Sequence, residues 1–295
     1  KAGINCDLKT SAVHVNAFGF GQAETLKREQ AARKDAALDA AWVSGPVAKK
    51  AISTESYGAI RLRGGAVYDP VRAALGFATA AEKKGARIFE HTAVRKTTFT
   101  RKDATVHLAN GARLLTREIV VATGRPGALF RSLERHVRVT DGHVVVTQPL
   151  NAEMRREAGS RAYALIERGG DTPRFLRFLA DDRVLFAGAE ARVQPAKVAD
   201  KALVQYAGQL MYELSLHYPS ISGLKAEWAW RVPVVSTLDG LPWVGAHRNF
   251  PFHFFAVALG WHGDAISGFA AKSAVRHFDG EPRKGDDAYT FLRVL

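Results

Sequence analysis

The sequence predicts a mixed α/β (α+β) chain in which an α/β domain is split by an inserted antiparallel sheet. Three observations carry that prediction. Phe252–Leu259 (FHFFAVAL) is an apolar run of strand length. It breaks at Gly260 and restarts as a helix at about Gly263-Asp264, continuing through Ala265-Ile266 towards His277. Such a corner leaves N–H groups able to face an anion or a polarised carbonyl, although an ordinary strand-to-helix turn also uses a glycine for clearance. A second strand-to-glycine stretch, Arg117–Gly127, lies far upstream, and the region between them, Arg131–Val235, alternates short strand candidates with turns.

Taken in order, Lys1–Ala17 reads as irregular with one short strand around Ala12–Ala17. Ala23–Trp42 is rich in Ala, Lys, Glu and Gln and predicts a helix that Gly45-Pro46 ends. Gly19-Phe20-Gly21 is a lone GxG with no apolar strand before it and reads as a loop. Ser56–Val67 reads as strand and loop around Gly64-Gly65. Asp69-Pro70 starts a helix, with Asp as N-cap and Pro in the first turn, and the helix stops before Gly85. Ala86–Phe89 predicts a strand. Strands then follow at Ala93–Thr98, Thr105–Leu108 and Leu114–Val121, with Asn110-Gly111 as the hairpin turn between the last two.

Downstream, Val137–Val139, Val144–Gln148, Ala162–Ile166, Phe175–Leu179 and Arg183–Ala187 are short strands. One amphipathic helix, Val198–His217, puts Leu203, Tyr206, Leu210 and Leu214 on a shared face. Pro219 closes it, and Trp228–Val235 reads as a further strand. The domain partition expected from this pattern is 1–68, 69–130, 131–235 and 236–295. The second and fourth segments form one domain, and the first and third form the other.

The 295 residues are 47% hydrophobic and 24% charged, the balance of a globular protein that buries a sizeable core. One cysteine, Cys6, excludes an intramolecular disulfide and fits a reducing, cytoplasmic setting. No Cys/His cluster has zinc spacing, no apolar run reaches membrane-span length, and the first residues do not resemble a signal peptide. The net charge of +13 comes from scattered pairs such as Lys27-Arg28 and Lys83-Lys84, with no nucleic-acid motif, so it reads as a solvated basic surface.

REIVVATGRPGALF, followed far downstream by TLDGLPWVG and ALGWHGDAISGFAA, resembles the D-amino-acid oxidase/glycine oxidase (DAO) superfamily of FAD-dependent oxidoreductases. The gamma-glutamylputrescine oxidoreductase-like subgroup is the nearest in pattern. GGAVYDPVRAALGFATAAEKKGARIFEHTAV, RFLRFLADDRVLFAGAE and the terminal Phe291-Leu292-Arg293 add to the likeness, which runs in the family's order from about Cys6 to the C-terminus. The family opens with a strand–GxGxxG–helix unit that cradles the FAD pyrophosphate, and these 295 residues contain none. The resemblance therefore implies an incomplete FAD-binding Rossmann-like domain with an inserted antiparallel-sheet substrate domain. It also implies weak or absent FAD binding by the chain alone and an apolar sheet edge or face exposed to association.

For cofactor contacts the resemblance implies Val94 at the adenine and the Ala122-Thr123-Gly124 turn near the cofactor. It adds the Gly240-Leu241-Pro242 turn and the corner Gly260, Trp261, His262, Gly263, Asp264, Ala265 and Ile266 at the flavin N1–C2=O edge. A helix N-terminus there stabilises the reduced, anionic ring. Asp264 departs from the neutral residue more usual in the family and would oppose reduction if aimed at the ring, an effect a protonated His262 would offset. Candidate substrate contacts are Tyr68, Arg177, Trp230 and Trp261. An arginine holds a carboxylate with two parallel hydrogen bonds, and Arg174 and Arg177, three apart on a strand, should face opposite sides. No catalytic acid or base and no metal ligand stands out. The implied reaction is FAD-dependent oxidation of the C–N bond of a small amine or amino acid to an imine. Alternatives are a non-catalytic basic binding protein on a flavoprotein scaffold, and one chain of a two-chain oxidase whose partner supplies the nucleotide-binding unit.

Overall fold

The structure, a computed structural model, describes residues 3–159, 163–167, 173–281 and 283–294. The strand start expected at Ala162 and the chain start at Lys1 lie outside them. In chain order the elements are β1 (Lys9–Thr10), β2 (Ala12–Ala17), α1 (Phe20–Asp35), β3 (Ala41–Ser44), α2 (Gly45–Ile52), β4 (Gly58–Leu62), β5 (Ala66–Val67) and α3 (Pro70–Glu82). Then come β6 (Val94–Phe99), β7 (Ala104–Leu108), β8 (Arg113–Thr116), β9 (Ile119–Gly124), α4 (Arg131–Glu134), β10 (Arg138–Thr147), α5 (Ala152–Ala158), β11 (Tyr163–Glu167), β12 (Arg174–Phe178) and β13 (Val184–Arg192). The chain finishes with α6 (Ala196–His217), β14 (Ala226–Ser236), β15 (Trp243–His247), β16 (Phe250–Val257) and α7 (Gly263–Asp279).

The chain divides into two compact units, Lys1–Ile88 with Asp141–Val232, and Phe89–Thr140 with Pro233–Leu295. The expected partition put 69–88 with the second unit, but α3 belongs to the first. Its cap ties it there: the N–H of Asp69 donates to the Cys6 carbonyl at 2.8 Å, and Arg72 pairs with Asp7 at 2.7 Å.

An eight-stranded sheet runs in the order β14-β10-β13-β12-β11-β2-β4-β3. It is largely antiparallel, as expected of the Arg131–Val235 region. It also takes in β2, β3 and β4, with β2 parallel to β11. Period-2 alternation sends Leu165, Leu176 and Phe186 into one core beneath α6, where Leu210 and Leu214 are fully buried. Truncating either helix leucine to alanine removes about 2–5 kcal/mol of stability. On the same sheet α1 packs Ala23 and Leu26 against Val15, Ala17 and Ile60.

In the second unit β6, β7 and β8 form a meander, closed at Asn110-Gly111 by Gly111 at φ +87° and the Asn110 side chain on the Ala112 N–H. A three-stranded sheet runs β15-β16-β9, with β16 parallel to β9, so the two glycine-turn strands share a sheet as the sequence predicts. Its core joins Phe255, Val257, Trp243, Phe130 and Leu133. Among the described residues β9 is an edge strand of this sheet, and its Val120 is half-exposed.

Several boundaries differ from expectation. The helix read across Ala23–Trp42 stops at Asp35, where Ala37 takes a positive φ of 54°, and Ala41–Ser44 is a strand paired to β4. Gly45-Pro46 starts a helix instead of ending one, because proline's missing N–H is harmless in a first turn. Arg138–Thr147 is one strand where the sequence predicts two, Val137–Val139 and Val144–Gln148. Leu114–Val121 is two strands, separated where the Thr116 hydroxyl bonds the Glu118 carbonyl. Ala86–Phe89 is not a strand and joins none of the sheets among the described residues.

Candidate functional site

In the first unit the strand registers place Val13, Ala164, Arg177 and Leu185 side by side on one sheet face. The alternate face carries Leu176, in the core beneath α6. Arg174 turns to the helix side, where its Nε donates to Glu213 Oε2 at 2.6 Å. Burial pushes the Glu213 carboxyl up, but the hydrogen bonds from Arg174 and Gln209 override it and hold the group below its ordinary value. Arg174 and Arg177 therefore face opposite sides, as the strand period requires.

Arg177 faces a cavity of about 960 Å³ that Tyr68 and Trp230 also line. Its Nη1 donates to the Tyr68 carbonyl at 2.9 Å, while its Nε is buried with no hydrogen-bond partner among the described residues. The loop carrying Tyr68 is held from the other side by the α3 cap: Asp69 Oδ1 accepts from the N–H groups of Val71 at 2.9 Å and Arg72 at 3.0 Å. Trp228 and Trp230, two apart on β14, give the cavity an aromatic wall, with the Arg183 guanidinium 4.6 Å from the Trp228 ring centroid. Three of the four expected substrate residues thus meet on one cavity. The fourth, Trp261, does not line it and sits in the second unit's 3-10 turn Gly260–His262.

Sequence reasoning missed Lys9, Trp228 and Tyr163, which line the same cavity. Tyr163 is buried, hydrogen-bonded to Tyr218 Oη at 2.7 Å and to the Ile52 carbonyl. Burial pushes its phenol up to about 12 and that of Tyr218 well above the usual range. Both phenols therefore stay in the neutral form near neutral pH.

In the second unit, Val120 pairs with Phe254 and Val121 with Phe255, and the Ala258 N–H donates to the Gly124 carbonyl at 2.9 Å. Ala122, Thr123 and Gly124, expected as a turn, are the last three residues of β9, and they and the Gly260–Ile266 corner lie at the carboxyl ends of two parallel strands, the usual ligand edge of an α/β sheet. Gly124 (φ +76°) and Gly260 (φ +61°) have left-handed backbones, and a Cβ on either would meet nothing within 4 Å. A Cβ on Gly263 would touch only Leu259 Cβ, at 3.5 Å. Helix α7 starts there with no side-chain cap, and its first turn carries Asp264. This bare backbone corner beside an uncapped helix start fits the approach of a flavin edge. Trp261, Gly263 and Ile266 are half-buried, while His262, Asp264 and Ala265 are exposed.

The Gly240-Leu241-Pro242 turn is tied internally: Arg293 donates to the Leu241 carbonyl at 2.6 Å and to the Pro242 carbonyl at 2.9 Å. Those two carbonyls serve the turn itself. Val94, at the start of the meander, is 40% exposed. Among the described residues no cluster of three or more His, Cys, Asp or Glu could hold a metal ion. No helix among them is long and apolar enough to cross a membrane.

Solved structures share this fold across most of the chain. Glycine oxidase from Geobacillus kaustophilus superposes with a TM-score of 0.77 at 17% identity, covering 96% of this chain and 74% of that one. L-proline dehydrogenase from P. horikoshii gives 0.78 at 16%, covering 95% and 75%. Dithionite-reduced L-alpha-glycerophosphate oxidase from Mycoplasma pneumoniae, with FAD bound, gives 0.76 at 14%, covering 92% and 73%. No curated protein matches the sequence. The family described as DAO, FAD dependent oxidoreductase, matches residues 1–276. With both glycine turns on one sheet edge and that match across most of its length, the chain belongs to the DAO family of FAD-dependent oxidoreductases.

Proposed function

We propose that the protein oxidises the C–N bond of a small amine or amino acid to an imine, with FAD held at the second unit's glycine corner and the substrate bound in the first unit's cavity. The observation that carries this reading is Arg177, a half-buried guanidinium on the cavity wall with no carboxylate partner among the described residues. Arginine forks match carboxylates, so Arg177 anchors the acid group of an amino-acid substrate, and Trp230 and Tyr68 bound its carbon skeleton. When bound, FAD supplies the two-electron acceptor. Gly124, Gly260 and Gly263 leave room for its ring, and the positive end of α7 favours negative charge at the ring's edge.

The similarity to a glycine oxidase and an L-proline dehydrogenase supports an amine or amino-acid substrate. The test is turnover of an amino-acid and amine panel by the purified protein supplied with FAD, read by dye reduction and by peroxide formation. The expected result is turnover of at least one member, with KM raised at least tenfold by Arg177→Met for substrates that carry a carboxylate. FAD binding without turnover of any member, or turnover that Arg177→Met leaves unchanged, overturns the reading.

A further inference from the structure

The charges lining the first unit's cavity are unequal in their partners. Asp7 pairs with Arg72 at 2.7 Å, Asp181 with Arg183 at 2.8 Å and Asp182 with Arg155 at 3.2 Å, while Asp69 is committed to the α3 cap. Each carboxylate of the wall therefore already has a cation or a helix N-terminus. Two lining cations do not: among the described residues neither Arg177 nor Lys9 has a carboxylate partner.

Topology brings these two together. Lys9 on β1 pairs in register with Val67 on β5, and the next residue, Tyr68, gives its carbonyl to Arg177 Nη1. Paired residues in an antiparallel ladder are about 5 Å apart at Cα, and successive residues about 3.8 Å. The Lys9 backbone thus lies one ladder step and one residue from the carbonyl that holds Arg177. A flexible lysine rooted there can meet the far end of a small molecule whose near end Arg177 grips.

We infer that the cavity selects substrates with two anionic groups, one held by Arg177 and the other by Lys9. The inference rests on the reading of this cavity as the substrate site, and it narrows the class to an acidic amino acid or an amine bearing two acid groups. Lysine is a point charge without arginine's fork, so it serves a carboxylate or a phosphoryl group equally.

Direct binding tests it without turnover. Isothermal titration of the purified 295-residue protein would use unbranched α,ω-dicarboxylates of three to six carbons, the matching monocarboxylates, and ω-phosphonocarboxylates of the same lengths. At least one dianion should bind about fivefold or more tighter than its monocarboxylate, and the gap should shrink as salt is raised. Whichever dianion binds tighter identifies the second group. Lys9→Met should erase the gap and leave monocarboxylate affinity unchanged, whereas Arg177→Met should weaken both classes. Equal affinity for mono- and dianions, or a gap that Lys9→Met does not alter, overturns the inference. If monocarboxylate binding still depends on Arg177 in that case, the substrate-site reading stands. Binding unaffected by either substitution overturns both.

Discussion

Arg293 grips Asp239 through two nitrogens, with Nε on Oδ2 at 2.6 Å and Nη2 on Oδ1 at 3.1 Å. The guanidinium also lies 3.5 Å from the centroid of the Trp243 ring, which stacks on Phe291 at 4.6 Å. One arginine near the C-terminus thereby locks the turn before β15 and the aromatic floor beneath it. The Arg293 hydrogen bonds hold the Asp239 carboxyl well below the usual carboxylate range, helped by the Thr237 hydroxyl and the Leu241 N–H.

That depression fixes a pH dependence. A carboxylate with a lowered folded-state pKa contributes stability above its unfolded value of about 3.9, and the contribution is lost as pH falls below it. Asp239→Asn should therefore lower Tm at pH 7, and the gap from the parent protein should narrow between pH 5 and pH 2. Thermal melts across that range check it. A gap that stays constant would show that the charge contributes nothing to the turn.

Arg174 and Arg177, three residues apart, should fail in different ways when replaced. Arg174→Met strips a partly buried partner from Glu213 and should cost about 1–3 kcal/mol in urea unfolding, with carboxylate binding unchanged. Arg177→Met should leave stability nearly unaltered and weaken carboxylate binding about tenfold or more. Parallel unfolding and ligand titrations separate the two, and a loss of binding in both variants would refute the assignment of opposite faces.

Gly263 is helical, at φ −52°, and a side chain there meets only Leu259. Gly263→Val should fold normally yet raise the FAD dissociation constant about tenfold or more by filling the space kept for the ring. Gly268→Val, on the same helix with nothing within 4 Å, serves as the control. Quenching of flavin fluorescence at matched folded fraction reads the difference. Equal constants in the two variants would remove the corner from the flavin site.

Tyr163 and Tyr218 share the Ile52 carbonyl deep in the first unit. Since the Tyr163 phenol is pushed up to about 12, its neutral form stabilises the fold below an unfolded pKa of about 10, and that contribution is lost as pH rises through the folded value. Tyr163→Phe should cost about 1 kcal/mol at pH 7. A difference titration at 295 nm between parent and variant should show no tyrosinate signal until near pH 12. A signal near pH 10 would mean that the buried pair is open to solvent.

The parts of this fold that were readable in the sequence are those set by neighbours along the chain. Asp69-Pro70 caps α3 because capping needs only two adjacent residue types, and Arg174 and Arg177 part company because a strand alternates. The errors lie where partners are distant. The strand at Ala41–Ser44 is invisible beside alanine-rich neighbours until β4 pairs with it. Ala86–Phe89 has strand composition but no ladder to join. Of the candidate site, the glycine corner and Arg177 were legible from local pattern. Lys9 was not, because a lone lysine on a two-residue strand has no signature, and only its pairing with Val67 puts it on the cavity.

The parallel pairing of β9 with β16 has a further consequence for how the chain is made. Val120 meets Phe254 only after the whole of Asp141–Val232 has been synthesised between them. Pairings so distant carry a large loop-closure entropy and form late. As the chain emerges from the ribosome, the helix-covered sheet of the first unit can condense while β9 still waits with its apolar edge uncovered. Expression yield should therefore turn on how long that edge stays exposed, and slower synthesis at lower temperature or added chaperone capacity should rescue more soluble protein than any substitution in the first unit's core.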